Sequence, residues 1–349
     1  MSMEGLAQIL IDDGPGERRA IAVDAAGIAW QSFIDRSGFN TATAYGARVI
    51  GRVRAIAQEQ GGAFLELETG EDAFLRVKGK AAFAEGADLV LRVEAEARHG
   101  KVARVQTTDH DAPEMTPFDA WCDQLPNGAS LPISHDPDAV DAAFESISSQ
   151  HVILPRGGRI WIEQTRALTA IDIDTAGRVQ RGRANARAHA INREAVVTGI
   201  QSLLLRRLGG LVAIDCIGPV SRESATQLRS ELTAAINQHT TLTARSEGPS
   251  QKMGVLIASL RWRFKPLDEI LNDETGAPRP ETELLSVLRH AVRDARASTR
   301  TFFKIHLGAA PHAVYVAHQA LYDGALPEDV AGRLQIVDGV SERTEVRRV

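Results

Sequence analysis

The chain has only two cysteines, Cys122 and Cys216, among 349 residues, and they lie far apart with no Cys-x-x-Cys pattern. That excludes a cysteine-based structural zinc motif and a disulfide framework, and it suits a reducing cytoplasm. No basic-plus-apolar leader opens the sequence and no apolar run reaches membrane-spanning length, so no membrane partner is expected. The ten histidines form no HxH or HExxH arrangement, and His306, His312 and His318 are expected to be structural or exposed. P-loop, GxGxxG and GxSxG motifs are absent, as are internal repeats. A formal net charge of −5 argues against a wholly basic, histone-like binder, but a local basic groove remains open to nucleic acid. The basic residues are mostly Arg, which suits phosphate contacts.

What is present is a pair of apolar runs that end in acid: Ala170-Ile171-Asp172-Ile173-Asp174 and Leu211-Val212-Ala213-Ile214-Asp215. Each reads as a buried parallel strand. The segment between them, about 184–208, has helical spacing and closes on Gly209-Gly210, which makes a βαβ unit. Both acids then fall at carboxyl ends of parallel strands, where open α/β sheets place ligands. Carboxylates converging there repel unless a cation lies between them. Mg²⁺ is typically held by one or two carboxylates plus substrate phosphates, so the pattern points to a metal site acting on phosphate. The competing reading is that acids after strands simply cap the next turn or helix.

Ahead of this unit, residues 6–34 alternate as a hairpin around a Gly-Pro-Gly turn. Five short Gly-punctuated strands between Tyr45 and Thr107 suggest a small OB-type barrel. Residues 108–135 are rich in Asp and Pro and read as a linker with little structure. Helices are expected over 137–148, 222–238 and 281–298, with strands at 159–163, 167–174, 241–244 and 302–307. The stretch 272–280 marks a break.

Three further groups are candidates for contact with a polyanion. Phe64 and Phe74 lie on successive barrel strands, with Arg52, Arg54, Arg76 and Lys101 nearby in sequence; they serve either as a stacking platform for single-stranded bases or as barrel core. Arg178, Arg181, Arg183 and Arg187, with Gly177 and Gly182 among them, follow the first acid pair and suit a polyanion or a solvated helix start. Arg261-Trp262-Arg263-Phe264-Lys265 alternates basic and aromatic residues, and its rings either face a nucleic acid or pack inward.

The middle of the chain resembles the ribonuclease E/G family. The residues that carry the resemblance are Leu154-Pro155-Arg156-Gly157-Gly158-Arg159-Ile160-Trp161-Ile162, the run from Ala167 to Gly177, Asn192-Arg193-Glu194-Ala195, and the run from Leu205 to Asp215. The match spans about 150–265 and extends more weakly to the barrel. The resemblance implies an α/β plus β-barrel architecture. An RNase H-like domain, split between 1–40 and 136–165, would carry an inserted S1 (OB-fold) RNA-binding barrel at 41–107, followed by the linker at 108–135. A DNase I-like catalytic α/β domain at 166–271 and a small C-terminal α/β domain at 281–349 would complete it.

By the same resemblance Asp172 and Asp215 would ligate Mg²⁺, and Asp174 would stand where the family has an asparagine that orients water. Phe64, Phe74 and Lys101 would engage RNA, with Arg178, Arg261 and Arg263 as further RNA contacts. The implied activity is endonucleolytic cleavage of single-stranded, A/U-rich RNA to 5′-phosphate and 3′-hydroxyl ends. The sequence departs from the family in three ways. Asp replaces Asn at 174, the family's 5′-sensor region is missing between the barrel and Leu154, and the zinc-link CxxC is missing between Leu267 and Glu281. Cleavage indifferent to the RNA 5′ end, and no zinc-linked dimer, are therefore expected. The alternatives are a non-catalytic RNA-binding protein on the same fold and a nuclease directed at DNA, which an RNA-selective protein would reject by sensing the 2′-hydroxyl.

Overall fold

The computed structural model describes all residues except 1–4, 37–42, 78, 80–81, 99, 177, 179–182 and 251. Of the candidates above, Gly177, Arg181 and Gly182 lie outside the described residues.

The chain opens with three antiparallel strands, β1 (Leu6–Gly14), β2 (Glu17–Asp24) and β3 (Ala29–Arg36), so the expected hairpin has a third strand. Five more strands follow: β4 (Arg48–Ala57), β5 (Gly62–Leu67), β6 (Asp72–Arg76), β7 (Asp88–Ala95) and β8 (Ala103–Thr107). They close into a barrel in the order β4-β5-β6-β8-β7, as the sequence led us to expect. Period-two alternation explains it: Val49, Val53, Leu65, Leu67, Leu75, Leu91 and Val105 turn inward and fill the interior, while their neighbours face out.

The stretch 108–135 corrects the expectation of a linker with little structure. It holds α1 (Pro117–Cys122) and β9 (Ile133–His135), and β9 pairs in parallel with β1. The physical reason is aromatic: Trp121 is fully buried and packs with Phe118 against Phe33. Thr116 caps α1 by accepting from the Asp119 N–H at 3.1 Å. The other face of this first sheet is covered by α2 (Pro137–Ile147), through Val140, Phe144 and Ile147.

Next come β10 (His151–Ile153), β11 (Arg159–Gln164), β12 (Leu168–Asp174), α3 (Ala184–Leu205), β13 (Gly210–Asp215), α4 (Arg222–His239), β14 (Ala244–Glu247) and β15 (Val255–Leu260). Their strands form one six-stranded sheet in the order β10-β11-β12-β13-β15-β14. β11 pairs with β12 over its whole length, from Arg159↔Asp174 to Gln164↔Thr169. Residues 151–164 thus belong to this sheet, which moves the boundary drawn at 165 back to the end of α2. One strand register also differs from the sequence reading, since β14 begins where the expected strand 241–244 ends, and β15 slots between it and β13.

One face of this sheet is buried under α3 and α4 by Ile171, Ile173, Val212, Ile214, Leu256 and Ala258. The second half of α3, residues 195–205, is almost wholly buried because it is covered on both sides. It lies under this sheet, and it meets the first sheet through Ser32 Oγ, which donates to the Leu205 carbonyl at 2.6 Å, and Gln201, which donates to the Ala29 carbonyl at 2.8 Å.

After α5 (Leu267–Leu271), the remainder comprises α6 (Pro280–Ala297), β16 (Phe303–His306), α7 (Ala309–Ala317), α8 (Gln319–Ala325), α9 (Glu328–Ala331), β17 (Leu334–Ile336) and β18 (Glu345–Arg348). Leu284, Leu288, Phe303, Ile305 and Tyr322 form its separate core. It docks on the first sheet by a buried ion network. Arg289 on α6 pairs with Glu17, Arg293 with Asp12 at 2.9 Å and with Asp141, and Glu17 also accepts from Arg36 at 2.8 Å. Among the described residues, no helix is long and apolar enough to cross a membrane.

Candidate active site

Strands β12 and β13 are parallel and registered through Ala170↔Ala213 and Ile171↔Ile214. One step further along the same register stand Asp172 and Asp215. Side chains alternate faces along a strand, so with Ile171 and Ile214 in the core the two aspartates project from the opposite, uncovered face. Adjacent strands lie about 4.8 Å apart, which makes the two carboxylates lateral neighbours. Both are exposed, and among the described residues neither has a cationic partner. Trp161 pairs with Asp172 from one side, His151 with Trp161, and Val255 with Asp215 from the other. The pair therefore sits mid-row on an open sheet face.

Asp174 lies on the same face but is engaged elsewhere. One carboxylate oxygen accepts from the Ala176 N–H at 2.8 Å, and the other stands 3.4 Å from Arg159 Nε. Accordingly, no group of three His, Cys, Asp or Glu side chains comes together as a metal site among the described residues. The donor set is a pair rather than a cage, and a pair of hard oxygens fits Mg²⁺ that takes its other ligands from water and substrate phosphate.

The loops that carry these acids are fastened by the first half of α3. The Asn192 amide donates to the Ile217 carbonyl at 2.9 Å and accepts from the Ile217 N–H at 2.8 Å, clamping the chain just after Asp215. Glu194 accepts both terminal nitrogens of Arg178, at 2.8 and 2.9 Å, and lies 3.4 Å from Arg156. Arg178 also donates to the Gly157 carbonyl at 3.3 Å. Its side chain is 1% exposed, which replaces the expected RNA contact with a structural one: the guanidinium ties the loop after β12 to the loop before β11. Asn192 and Glu194 entered the sequence reading only as members of a motif. Their positioning role was visible there only as two polar residues two apart on a helix that crosses between the acid-bearing strands. Cys216, next to Asp215, is buried, and burial and that carboxylate push its thiol up to about 12, so it is no nucleophile.

On the barrel, Phe64 and Phe74 are direct cross-strand partners with ring centroids 5.1 Å apart. Both face outward, since the alternate residues Ala63, Leu65, Ala73 and Leu75 fill the core; Phe64 is 37% exposed. This excludes the core alternative: the rings lie on the barrel's outer wall. Gly62 makes room for them, because a Cβ there would fall 2.3 Å from the Phe74 ring and 2.3 Å from the Leu75 carbonyl. Arg104 pairs with Phe74 from β8 and extends the row. Lys101 is exposed at the turn that leads into β8, its N–H donating to the Arg98 carbonyl at 2.7 Å.

The segment 261–265 is a strap between the barrel and the six-stranded sheet. The Glu96 N–H donates to the Arg263 carbonyl at 2.8 Å, and the Lys265 N–H donates to the Glu96 carboxylate at 2.7 Å. Trp262 packs inward on Gly209 and Gly210; a Cβ at Gly210 would fall 2.7 Å from the indole nitrogen, and its φ of +87° lies in the left-handed region. Phe264 packs on Tyr45. Arg263 lies over the Tyr45 ring and donates to its hydroxyl at 2.7 Å, and Arg261 donates to Glu94 at 2.8 Å. The inward-packing alternative thus holds for both aromatic rings of the strap.

Residues 130–247, which include the aspartate pair, Asn192, Glu194 and Arg178, match the model of the ribonuclease E/G family. Over this segment the chain is similar to the ribonuclease E/G family. It is 40% identical to ribonuclease E of Escherichia coli over 92 residues, 26% of this chain and 9% of that protein. It is 25% identical to ribonuclease G of Haemophilus influenzae over 258 residues, 74% of this chain and 50% of that protein. A 97-residue stretch, 28% of this chain and 14% of the relative, is 31% identical to ribonuclease E of Nostoc. The chain matches at most half the length of these relatives.

Proposed function

We propose that this chain is a Mg²⁺-dependent endoribonuclease that cuts single-stranded, A/U-rich RNA and leaves 5′-phosphate and 3′-hydroxyl ends. The observation that carries the proposal is the unpaired Asp172–Asp215 couple, side by side on an open sheet face within the segment shared with the family. Asp172 and Asp215 hold the metal. Bound there, Mg²⁺ supplies Lewis-acid polarisation of the scissile phosphate and a more acidic water. At 174 a carboxylate accepts hydrogen bonds where the amide of an asparagine could also donate one. The bonds of Asp174 to Ala176 and Arg159 make it a positioning residue for the loop beside the pair. In this reading the barrel is S1-like and grips RNA through Phe64, Phe74 and Lys101. The first sheet corresponds to the RNase H-like part and the six-stranded sheet to the DNase I-like part. A cytoplasmic setting suits two free, buried cysteines.

The test is incubation of the protein with labelled single-stranded A/U-rich RNA, with Mg²⁺ or with EDTA. Mg²⁺-dependent internal cleavage supports the proposal, and intact RNA at every Mg²⁺ concentration rejects it. A second reading is favoured by the commitment of Asp174 to its own loop: an RNA-binding protein without turnover. It predicts binding that is unchanged by Asp172→Ala and no cleavage in either form.

Two expected results follow for substrate handling. Phe64→Ala with Phe74→Ala weakens single-strand binding by about 30-fold or more, since each base stacked on an aromatic ring contributes about 1–3 kcal/mol and two rings are lost; equilibrium binding in EDTA measures it. Replacing a 5′-monophosphate by a 5′-hydroxyl leaves kcat/KM unchanged, because between the barrel and Leu154 the sequence lacks the family's 5′-sensor region; a marked monophosphate preference would refute this.

A further inference from the structure

Between the outer wall of the barrel and the β14–β15 edge of the six-stranded sheet runs a cleft of about 970 Å³. Among the described residues its lining carries four arginines, Arg76 and Arg104 from the barrel, Arg245 from β14 and Arg261 from the strap, against one carboxylate, Glu94. Glu94 is shared: it accepts from Arg104 Nε at 3.2 Å and from Arg261 at 2.8 Å. Arg104 Nη2 is buried and has no hydrogen-bond partner among the described residues. Burial holds the Arg104 guanidinium below its ordinary pKa, Glu94 opposes that, and the neighbouring charges of Arg261 and Arg76 add to it. A half-buried cation with an orphan donor and two like-charged neighbours is a site short of an anion.

The cleft also lies on a line between the two candidate surfaces. On the barrel side, Arg104 is the strand neighbour of Phe74, which is the neighbour of Phe64. On the sheet side, Arg245 pairs with Ser259 and Ser259 with Leu211, on the same open face as Asp215. From Ser259 to Val255, the partner of Asp215, is four residues of strand, about 13 Å.

We propose that Arg104, Arg261, Arg76 and Arg245 form a backbone-phosphate site that carries single-stranded RNA from the Phe64–Phe74 platform to the Asp172–Asp215 pair. The inference rests on the reading of this chain as an RNA-binding nuclease and adds the path between its two surfaces. Phosphate-directed guanidiniums position the strand without reading its sequence, so the cleft fixes the spacing between grip and cut rather than base choice.

The test is binding of a fluorescent single-stranded A/U-rich RNA in EDTA across a salt series. For single strands the slope of log K against log salt changes by about 0.7 for each phosphate contact. We expect Arg245→Gln and Arg104→Gln each to reduce the slope by about 0.7, and Arg193→Gln, a surface residue paired with Glu231 on α4, to leave it unchanged. Arg245 is exposed, so its variant answers the question even if loss of the Arg104–Glu94 pair perturbs the barrel. Unchanged slopes for Arg245→Gln and Arg104→Gln, with binding still lost on Phe64→Ala, would overturn the cleft while sparing the platform. Reduced slopes in a protein that never cleaves RNA with Mg²⁺ would sustain the cleft and reject the nuclease. Absence of any RNA binding by the unaltered protein rejects both.

Discussion

Asp172→Asn with Asp215→Asn is expected to lower RNA cleavage by on the order of 10³-fold or more while leaving RNA binding in EDTA and thermal stability nearly unchanged. Charge stabilisation at a metal-bound phosphate amounts to several kcal/mol, and each 1.36 kcal/mol is a factor of ten in rate. Asn keeps the shape of Asp and one acceptor oxygen, so the loss falls on the metal. Stability is expected to hold because both side chains are exposed and form no internal ion pair among the described residues. Two unpaired carboxylates about 5 Å apart repel by only about 1 kcal/mol in water, so the amides are expected to be neutral or slightly stabilising. Single-turnover cleavage and a thermal melt on the same preparation check both halves. Asp174→Asn should instead retain most of the rate, since an amide oxygen can still accept from Ala176.

The second large effect is on stability. Glu17→Gln is expected to destabilise the fold by about 3–5 kcal/mol, the cost of breaking a buried pair from one side. Glu17 is 3% exposed, accepts from Arg36 and Arg289, and lies 3.7 Å from Arg19. Without its charge Arg19 and Arg289 are left with Asp12 and Asp141, Arg36 is left with the Ile270 carbonyl and the Thr282 hydroxyl, and the docking of α6 loosens. The same network sets an acid limit. Burial pulls the Glu17 carboxyl up, but the charges of Arg289, Arg36 and Arg19 outweigh it and hold the carboxyl below its ordinary 4.5. Asp141 is likewise held below 3.8, burial being outweighed by Arg19 and Arg293. A carboxylate lowered on folding contributes stability that is complete above its unfolded pKa and is lost as pH falls through the folded one. Stability is therefore expected to be flat near neutrality as far as these two groups are concerned, and to fall below about pH 4.5. Urea melts at pH 7 and pH 3.5 measure it, and in Glu17→Gln the acid-linked loss should shrink.

The parts legible in the sequence are those where a local period and a chemical type coincide. Ile171 and Ile214 alternate with Asp172 and Asp215, so strand, face and carboxylate could be read together, and the parallel register follows from the helix between them. The barrel is readable because Leu65 and Leu67, Ala73 and Leu75, and Ala103 and Val105 stand at period two on short strands set off by glycines. Other features depend on partners distant in sequence. Trp121 lies in an Asp- and Pro-rich stretch that looks unstructured until Phe33 is known to face it. β15 has a regular alternation of its own, yet its place between β13 and β14 is set by nonlocal pairing. The strap 261–265 shows basic–aromatic alternation in either reading, and only Gly209–Gly210 under Trp262 decides that it faces inward. Arg178 reads in sequence as one of a run of arginines open to a polyanion or to solvent; Glu194, sixteen residues on, is what engages it instead.

The measurement that bears most directly on the central claim is the Mg²⁺ dependence of single-turnover cleavage for the unaltered protein and for Asp215→Asn, with RNA affinity in EDTA measured alongside. If Asp172 and Asp215 hold the metal together, the half-maximal Mg²⁺ concentration rises at least about tenfold in the variant, since losing one charged ligand costs more than about 1.4 kcal/mol, while RNA affinity without metal stays the same. Superimposable Mg²⁺ curves for the two proteins would contradict the account, because the metal would then be held somewhere other than between these two strands.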